Sequence, residues 1–247
     1  MTRRVLPLIA AGLLSAVSAP ALADTDKDTP GGPCTDGPGR GTGNPCNGNQ
    51  GNPSPEGNAK EKVRYDHNPP PFRITRPGND RGAFITQIGD ANRASIDQSA
   101  NSQYANIHQG GDNNGAAVTQ AGSGAHYALV GQFVDANSLA LAQSGTAEQV
   151  ALLKQWGDRN AMSVSQDGSF VPSGVFAAQA GSDNRMALSQ SGGDNQAMLM
   201  QHGNGNEMTA TQTGGGNQLS WTQTGDNLSD LSSTQTGGAA LQVTQTR

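Results

Sequence analysis

Bulky side chains, charges and cysteines are all scarce in this sequence. Of its 247 residues only 4% are aromatic, 33% hydrophobic and 14% charged. A conventional globular core of this length needs more apolar bulk, so a compact single-core domain is disfavoured. The formal charge is −5 and no Lys/Arg patch stands out, which argues against a nucleic-acid partner. Cys34 and Cys46 are the only cysteines, and no paired histidine or second cysteine pair stands at zinc-ligand spacing. In an oxidising compartment these two can close a small loop as a disulfide, or they stay as thiols. His67, His108, His126 and His202 do not cluster with ligand or triad spacing, and no Gly-rich phosphate loop follows a strand. The chain therefore reads as a non-enzyme with no catalytic residues, no cofactor and no metal. Proline is absent beyond residue 83 except for Pro172, so long runs of strand pairing are permitted there.

What the sequence does contain falls into three parts. Residues 1–23 have the form of a signal peptide. Arg3 and Arg4 make a basic start, Leu6 to Ala19 are mostly apolar, and Ala21-Leu22-Ala23 has the small-x-small form of a cleavage site. The apolar run is too short for a good membrane anchor, so export across the inner membrane is expected. The Arg3-Arg4 pair also fits a twin-arginine route. Residues 24–82 are dense in Gly and Pro and follow no strand or helix period, which predicts a disordered linker. Within it, Pro69-Pro70-Pro71 offers a weak polyproline contact.

From residue 83 to 247 the pattern changes. Glutamine recurs at Gln87, Gln98, Gln109, Gln120, Gln132, Gln143, Gln155, Gln166, Gln179, Gln190, Gln201, Gln212, Gln223, Gln235 and Gln245. Nine of the fourteen intervals are eleven residues, which marks an array of repeated units. Two and four residues before each glutamine the side chain is apolar, with Ser233 the single exception. Six before, asparagine dominates, at Asn92, Asn114, Asn137, Asn160, Asn184, Asn195, Asn206 and Asn217. Such alternation over seven residues, N-x-A-x-[ILV]-x-Q, means a strand with one buried face. Glycine stands two places after twelve of the glutamines, at Gly89, Gly111, Gly122, Gly145, Gly157, Gly168, Gly181, Gly192, Gly203, Gly214, Gly225 and Gly237. There it supplies the left-handed conformation of a tight reversal.

Two such blocks make a strand-turn-strand-turn coil of 22 residues. The chain holds about seven coils, so the predicted fold is all-β, a β-solenoid that becomes cross-β when polymerised. Stacked coils lie about 4.8 Å apart, and an inward amide over its own copy can both donate and accept. The glutamines and asparagines are therefore expected to form an amide ladder that fixes register. One coil alone cannot offset its conformational entropy, so stability should come from stacking. No capping element is evident at either end, which would leave both end coils with unpaired edges.

The unit Q-x-G-x-x-N-x-A-x-x-x-Q, as in QIGDANRASIDQ (Gln87–Gln98), QSGGDNQAMLMQ (Gln190–Gln201) and QHGNGNEMTATQ (Gln201–Gln212), resembles the curlin repeat. The resemblance covers about two-thirds of the chain, from Ala83 to Arg247. It implies a subunit of curli, bacterial surface fibres with amyloid structure used in adhesion and biofilm matrix. It also implies self-association, a companion nucleator or major subunit, an outer-membrane secretion pore with accessory factors, and host or abiotic surfaces as targets. This chain departs from the family pattern in its larger number of coils, its long Gly/Pro segment with two cysteines, and its loss of asparagine at Gln103, His126, Gln149, Ser173, Ser229 and Ala239. A second function class is a monomeric solenoid that binds ice through outward T-x-T pairs, at Thr211/Thr213, Thr222/Thr224, Thr234/Thr236 and Thr244/Thr246.

Overall fold

The computed structural model describes residues 61–247. The signal-peptide reading of 1–23, Cys34, Cys46 and the linker up to residue 60 lie outside the described residues.

Alternation in the sequence becomes strand after strand. The described residues form sixteen: β1 (Lys62–Asp66), β2 (Gly82–Ile88), β3 (Arg93–Gln98), β4 (Tyr104–Gly110), β5 (Gly115–Gln120), β6 (Tyr127–Phe133), β7 (Ser138–Gly145), β8 (Gln149–Trp156), β9 (Ala161–Gly168), β10 (Ser173–Ala180), β11 (Arg185–Ser191), β12 (Gln196–His202), β13 (Glu207–Thr213), β14 (Gln218–Thr224), β15 (Leu231–Thr236) and β16 (Ala240–Thr246). The described residues contain no helix. In β11 the inward Met186, Leu188 and Gln190 are buried while Arg185, Ser189 and Ser191 are exposed, the signature of a half-buried strand.

From β2 to β14 each strand pairs in parallel with the strand two places on. The even-numbered strands from β2 to β16 form one sheet and the odd-numbered strands from β3 to β15 the other. The result is a β-solenoid of about seven turns, as the repeat predicts. Glutamine faces glutamine at every step, for example Gln155 with Gln179 and Gln190 with Gln212. Coil length is not constant. From glutamine to glutamine it is 22 residues (Gln87 to Gln109), 23 (Gln109 to Gln132) or 24 (Gln155 to Gln179). The turns absorb the extra residues, as at Phe170-Val171-Pro172 between β9 and β10, so inward positions keep their register. A slip inside a strand would instead turn the apolar row to water.

The core is a thin, continuous seam between the two sheets. It is lined by the side chains two and four before each glutamine, from Ala105 and Ile107 through Leu199, Met208 and Trp221 to Val243.

Residues 61–81 correct the expectation of a linker disordered to residue 82. β1 pairs antiparallel with β16, with Val63 opposite Gln245 and Tyr65 opposite Val243. The chain then returns along the even-numbered sheet. Phe72 N–H donates to Gln218 Oε1 at 3.3 Å and Ile74 N–H to Gln196 Oε1 at 2.9 Å. Arg73 pairs with Asp194 at 3.4 Å and Arg76 with Glu148 at 3.3 Å. Ile74 packs on a second apolar cluster of Tyr104, Tyr127 and Val150, where the two tyrosine rings stack with centroids 4.7 Å apart. Gly and Pro without periodicity said only that this stretch lacks a core of its own; the solenoid supplies the surface on which it orders.

Candidate functional site

The inward amides form two continuous columns. In the even-numbered sheet Gln87 Nε2 donates to Gln109 Oε1, and the chain of donation runs on through Gln132, Gln155, Gln179, Gln201 and Gln223 to Gln245, at 2.7–2.9 Å per step. In the odd-numbered sheet the same column links Gln98, Gln120, Gln143, Gln166, Gln190, Gln212 and Gln235 at 2.7–3.0 Å. Every step runs from the N-terminal coil toward the C-terminal one. The second amide hydrogen crosses the core to a backbone carbonyl of the facing sheet, as Gln155 Nε2 does to Ser138 O at 3.1 Å and Gln223 Nε2 to Glu207 O at 2.9 Å. A neutral group that donates twice and accepts can fill such a column without stacking like charges in a dry interior.

The asparagines bond differently from the glutamines. Asn137 N–H donates to Asn114 Oδ1 at 3.0 Å, and Asn137 Nδ2 donates to Gly157 O, the turn carbonyl of the next coil, at 2.6 Å. Asn92, Asn160, Asn184 and Asn206 continue this column along the odd-numbered sheet. In the even-numbered sheet only Asn195 and Asn217 keep it. Gln103, His126, Gln149 and Ser173 take the slot in earlier coils, all of them buried. His126 Nε2 bonds Ala121 O at 2.9 Å, while Nδ1 has no partner among the described residues. Burial holds the His126 pKa below its ordinary value, with the Ala121 carbonyl and Glu148 working against it. Burial also pushes the Tyr127 phenol up to about 12.

The turns add an outer set of contacts. Gly157 has φ 110°, and a Cβ there would collide with the carbonyl of Gly181 in the next coil. The slot thus needs glycine for close approach as well as for dihedral freedom. Val134 occupies the same slot at φ 74°, an unusual conformation for a β-branched residue. Gly168 departs from the expected turn role: it lies buried at the end of β9, and Phe170, at φ 75°, takes the left-handed conformation instead. Acidic residues beside the turn accept from the previous coil, as Asp112 Oδ1 does from Asp90 N–H at 2.7 Å and Asp135 Oδ1 from Asp112 N–H at 2.8 Å. Nothing local in the sequence announces these inter-coil bonds. Arg159 and Asp183 make a two-pronged pair at 2.7 and 2.8 Å on the exposed surface.

The two ends differ. At the N-terminal end no described residue covers the first coil: Gln87 is exposed, Ile85 is 45% exposed, and Phe84 and Ile88 face outward. At the other end Glu61 closes the amide column. Its carboxylate accepts from Gln245 Nε2 and from the N–H and hydroxyl of Ser229, at 3.0 and 2.7 Å, and lies 3.8 Å from the Arg247 guanidinium. The Ser229 hydrogen bonds, with smaller help from Gln245 and Arg247, hold the Glu61 carboxyl below the usual carboxylate range. Both Glu61 and the edge-covering role of β1 escaped sequence reasoning, because nothing local distinguishes KVRYD from other linker sequence. Among the described residues no group of three or more His, Cys, Asp or Glu side chains gathers as a metal site.

Residues 181–214 match the family model described as the curlin associated repeat. They span β11, β12 and β13, and the glutamine columns run through them unchanged. No curated protein and no solved structure matches the chain.

Proposed function

We propose that this curlin-repeat β-solenoid is a structural subunit of an extracellular, curli-like amyloid fibre that grows by stacking coil on coil. The observation that carries the reading is the open first coil, where an in-register amide column and an apolar seam stop at a bare strand edge. An exposed flat edge is normally blunted in soluble proteins. Here it presents a template on which an identical coil repeats contacts already made seven times along the chain. The glutamine and asparagine columns act as register pins, because a displaced amide would leave buried donors and acceptors unpaired.

The wider setting follows from the same reading. The chain is exported as an unfolded subunit through an outer-membrane pore with accessory factors. It polymerises at the cell surface, beside a companion nucleator or major subunit, and serves in adhesion to host or abiotic surfaces and in biofilm matrix. Cys34 and Cys46 would meet an oxidising compartment on that route.

Incubation of the purified chain tests the proposal. Fibres with a reflection near 4.8 Å along the axis are expected, together with faster growth when preformed fibres are added as seeds. A chain that stays monomeric for days at high concentration, with or without seeds, would sink the fibre reading. That result would favour a solenoid binder. Against the binder stands the placement of the T-x-T pairs: β13 and β15 carry two on one sheet, β14 and β16 carry two on the other, so neither face offers a broad threonine array.

A further inference from the structure

We infer that the outer edge of β16 is a second stacking surface, shaped for the β2 edge of another copy of this chain, and that residues 61–66 occupy it until that copy displaces them. The inference rests on the fibre reading. It adds a polarity and an intramolecular competitor that the reading itself does not contain.

Three observations carry it. First, the amide column has a direction. Every glutamine of the even-numbered sheet donates toward the C-terminal end, so Gln245 Nε2 needs an acceptor beyond it. Glu61 provides that acceptor in the single chain. At the opposite end Gln87 Oε1 accepts from no described residue, although every other oxygen in the column accepts from the glutamine before it. The two ends of the column are complementary. Gln87 of a second copy placed over Gln245 would continue the column in the register that already links Gln223 to Gln245.

Second, β1 is a poor copy of the strand it stands in for. It runs antiparallel on β16 where every other pair in the sheet is parallel, and it is five residues long where β2 has seven. Val63 and Tyr65, opposite Gln245 and Val243, share their inward face, yet they are 36% and 56% exposed. They therefore bury little apolar surface. β2 would bring Ala83, Ile85 and Gln87 to the positions where the solenoid elsewhere keeps its buried rows.

Third, β1 closes the edge to further pairing. Lys62, Arg64 and Asp66 alternate along its exposed strand, and charges on an edge strand resist addition of a further chain. While β1 is in place, the described residues leave one open edge in this sheet. Once β1 leaves, it has two complementary ones. A displaceable cap thus delays assembly of the free chain without removing its capacity to add to a fibre.

A reversible lock tests this. In a chain whose Cys34 and Cys46 are replaced by serine, Arg64→Cys and Thr244→Cys stand directly opposite each other in the β1–β16 pair, a separation that a disulfide spans. Seeded growth is followed before and after reduction. The reduced form should grow like its parent, and the oxidised form at least about tenfold more slowly by the rule that a blocked edge adds no strand. Glu61→Ala, which removes the acceptor and leaves the solenoid intact, should shorten the lag before unseeded growth several-fold. Equal growth of oxidised and reduced forms overturns the cap and leaves the fibre reading standing. Absence of growth in the parent, the reduced form and Glu61→Ala alike overturns the fibre reading, and the inference with it.

Discussion

Replacing Gln155 by methionine changes the shape of the side chain little and removes all its hydrogen bonds. Gln155 is fully buried. It donates to Gln179 Oε1 at 2.9 Å and to Ser138 O at 3.1 Å, and accepts from Gln132 Nε2 at 2.8 Å. After Gln155→Met, Gln179 Oε1 has no donor, and one N–H of Gln132 has no acceptor, its other bond going to Gly115 O. Each stranded buried group costs about 1–3 kcal/mol. Methionine recovers about 1 kcal/mol through its larger apolar surface. With two groups stranded, the net loss should be about 1–5 kcal/mol. Gln87→Met is the control: it deletes one step of the same column, but in the open coil, where water reaches the site. There one group is stranded instead of two, the buried Gln109 Oε1, so the loss should be smaller by one stranded group, about 1–3 kcal/mol. Both are read by denaturant unfolding of the monomeric chain, followed by circular dichroism. If the two substitutions cost the same, or Gln155→Met costs nothing, the amide column is not what satisfies the interior and the argument for its role in register fails.

Two further perturbations probe other parts of the solenoid. Because burial lowers the His126 pKa, the unfolded chain binds more protons below the ordinary value of 6.5. Stability should be full above that pH and fall as pH drops from 6.5 toward the folded value, with Glu148 (paired to Arg76) and the Ala121 carbonyl limiting the loss. His126→Gln, the residue found in the same column at Gln103 and Gln149, should flatten that slope in unfolding measurements from pH 5 to 7.5, roughly the histidine titration range; an unchanged slope would assign it to another group. At Val134, a left-handed β-branched residue costs about 1–2 kcal/mol, and glycine's extra freedom in the unfolded chain offsets about 0.5–1 kcal/mol of the relief. Val134→Gly should therefore raise stability by about 0.5–1 kcal/mol and lift the melting temperature; a loss of stability would show that the valine side chain makes contacts worth more than its strain.

Much of this architecture is legible in the residues because its rules are local. Alternation of apolar and polar side chains specifies a strand whatever surrounds it. Repetition of that strand with glycine two places after the glutamine specifies a turn and a second strand. Even the irregular intervals do not disturb the reading, since the 23- and 24-residue coils place their extra residues in turns. The inward place of the glutamines follows as well, because they share the parity of Ile107, Leu153 and Leu199. Their direction of donation and their second bond across the core are not legible. Both depend on where the facing sheet puts its carbonyls.

Local sequence therefore dictates the coil: its strands, its turns, its buried face and the columns of glutamine. Each follows from preferences that act within a few residues and recur often enough to reinforce one another. How the two ends of the stack differ depends instead on contacts between distant parts of the chain. Glu61 and Gln245 are 184 residues apart in sequence, and nothing in a Gly/Pro-rich stretch announces that it will return to cover a distant strand. β1 has no partner until seven coils have stacked and offered an edge. A segment with no core of its own takes its structure from the surface it meets, and only the assembled fold creates that surface.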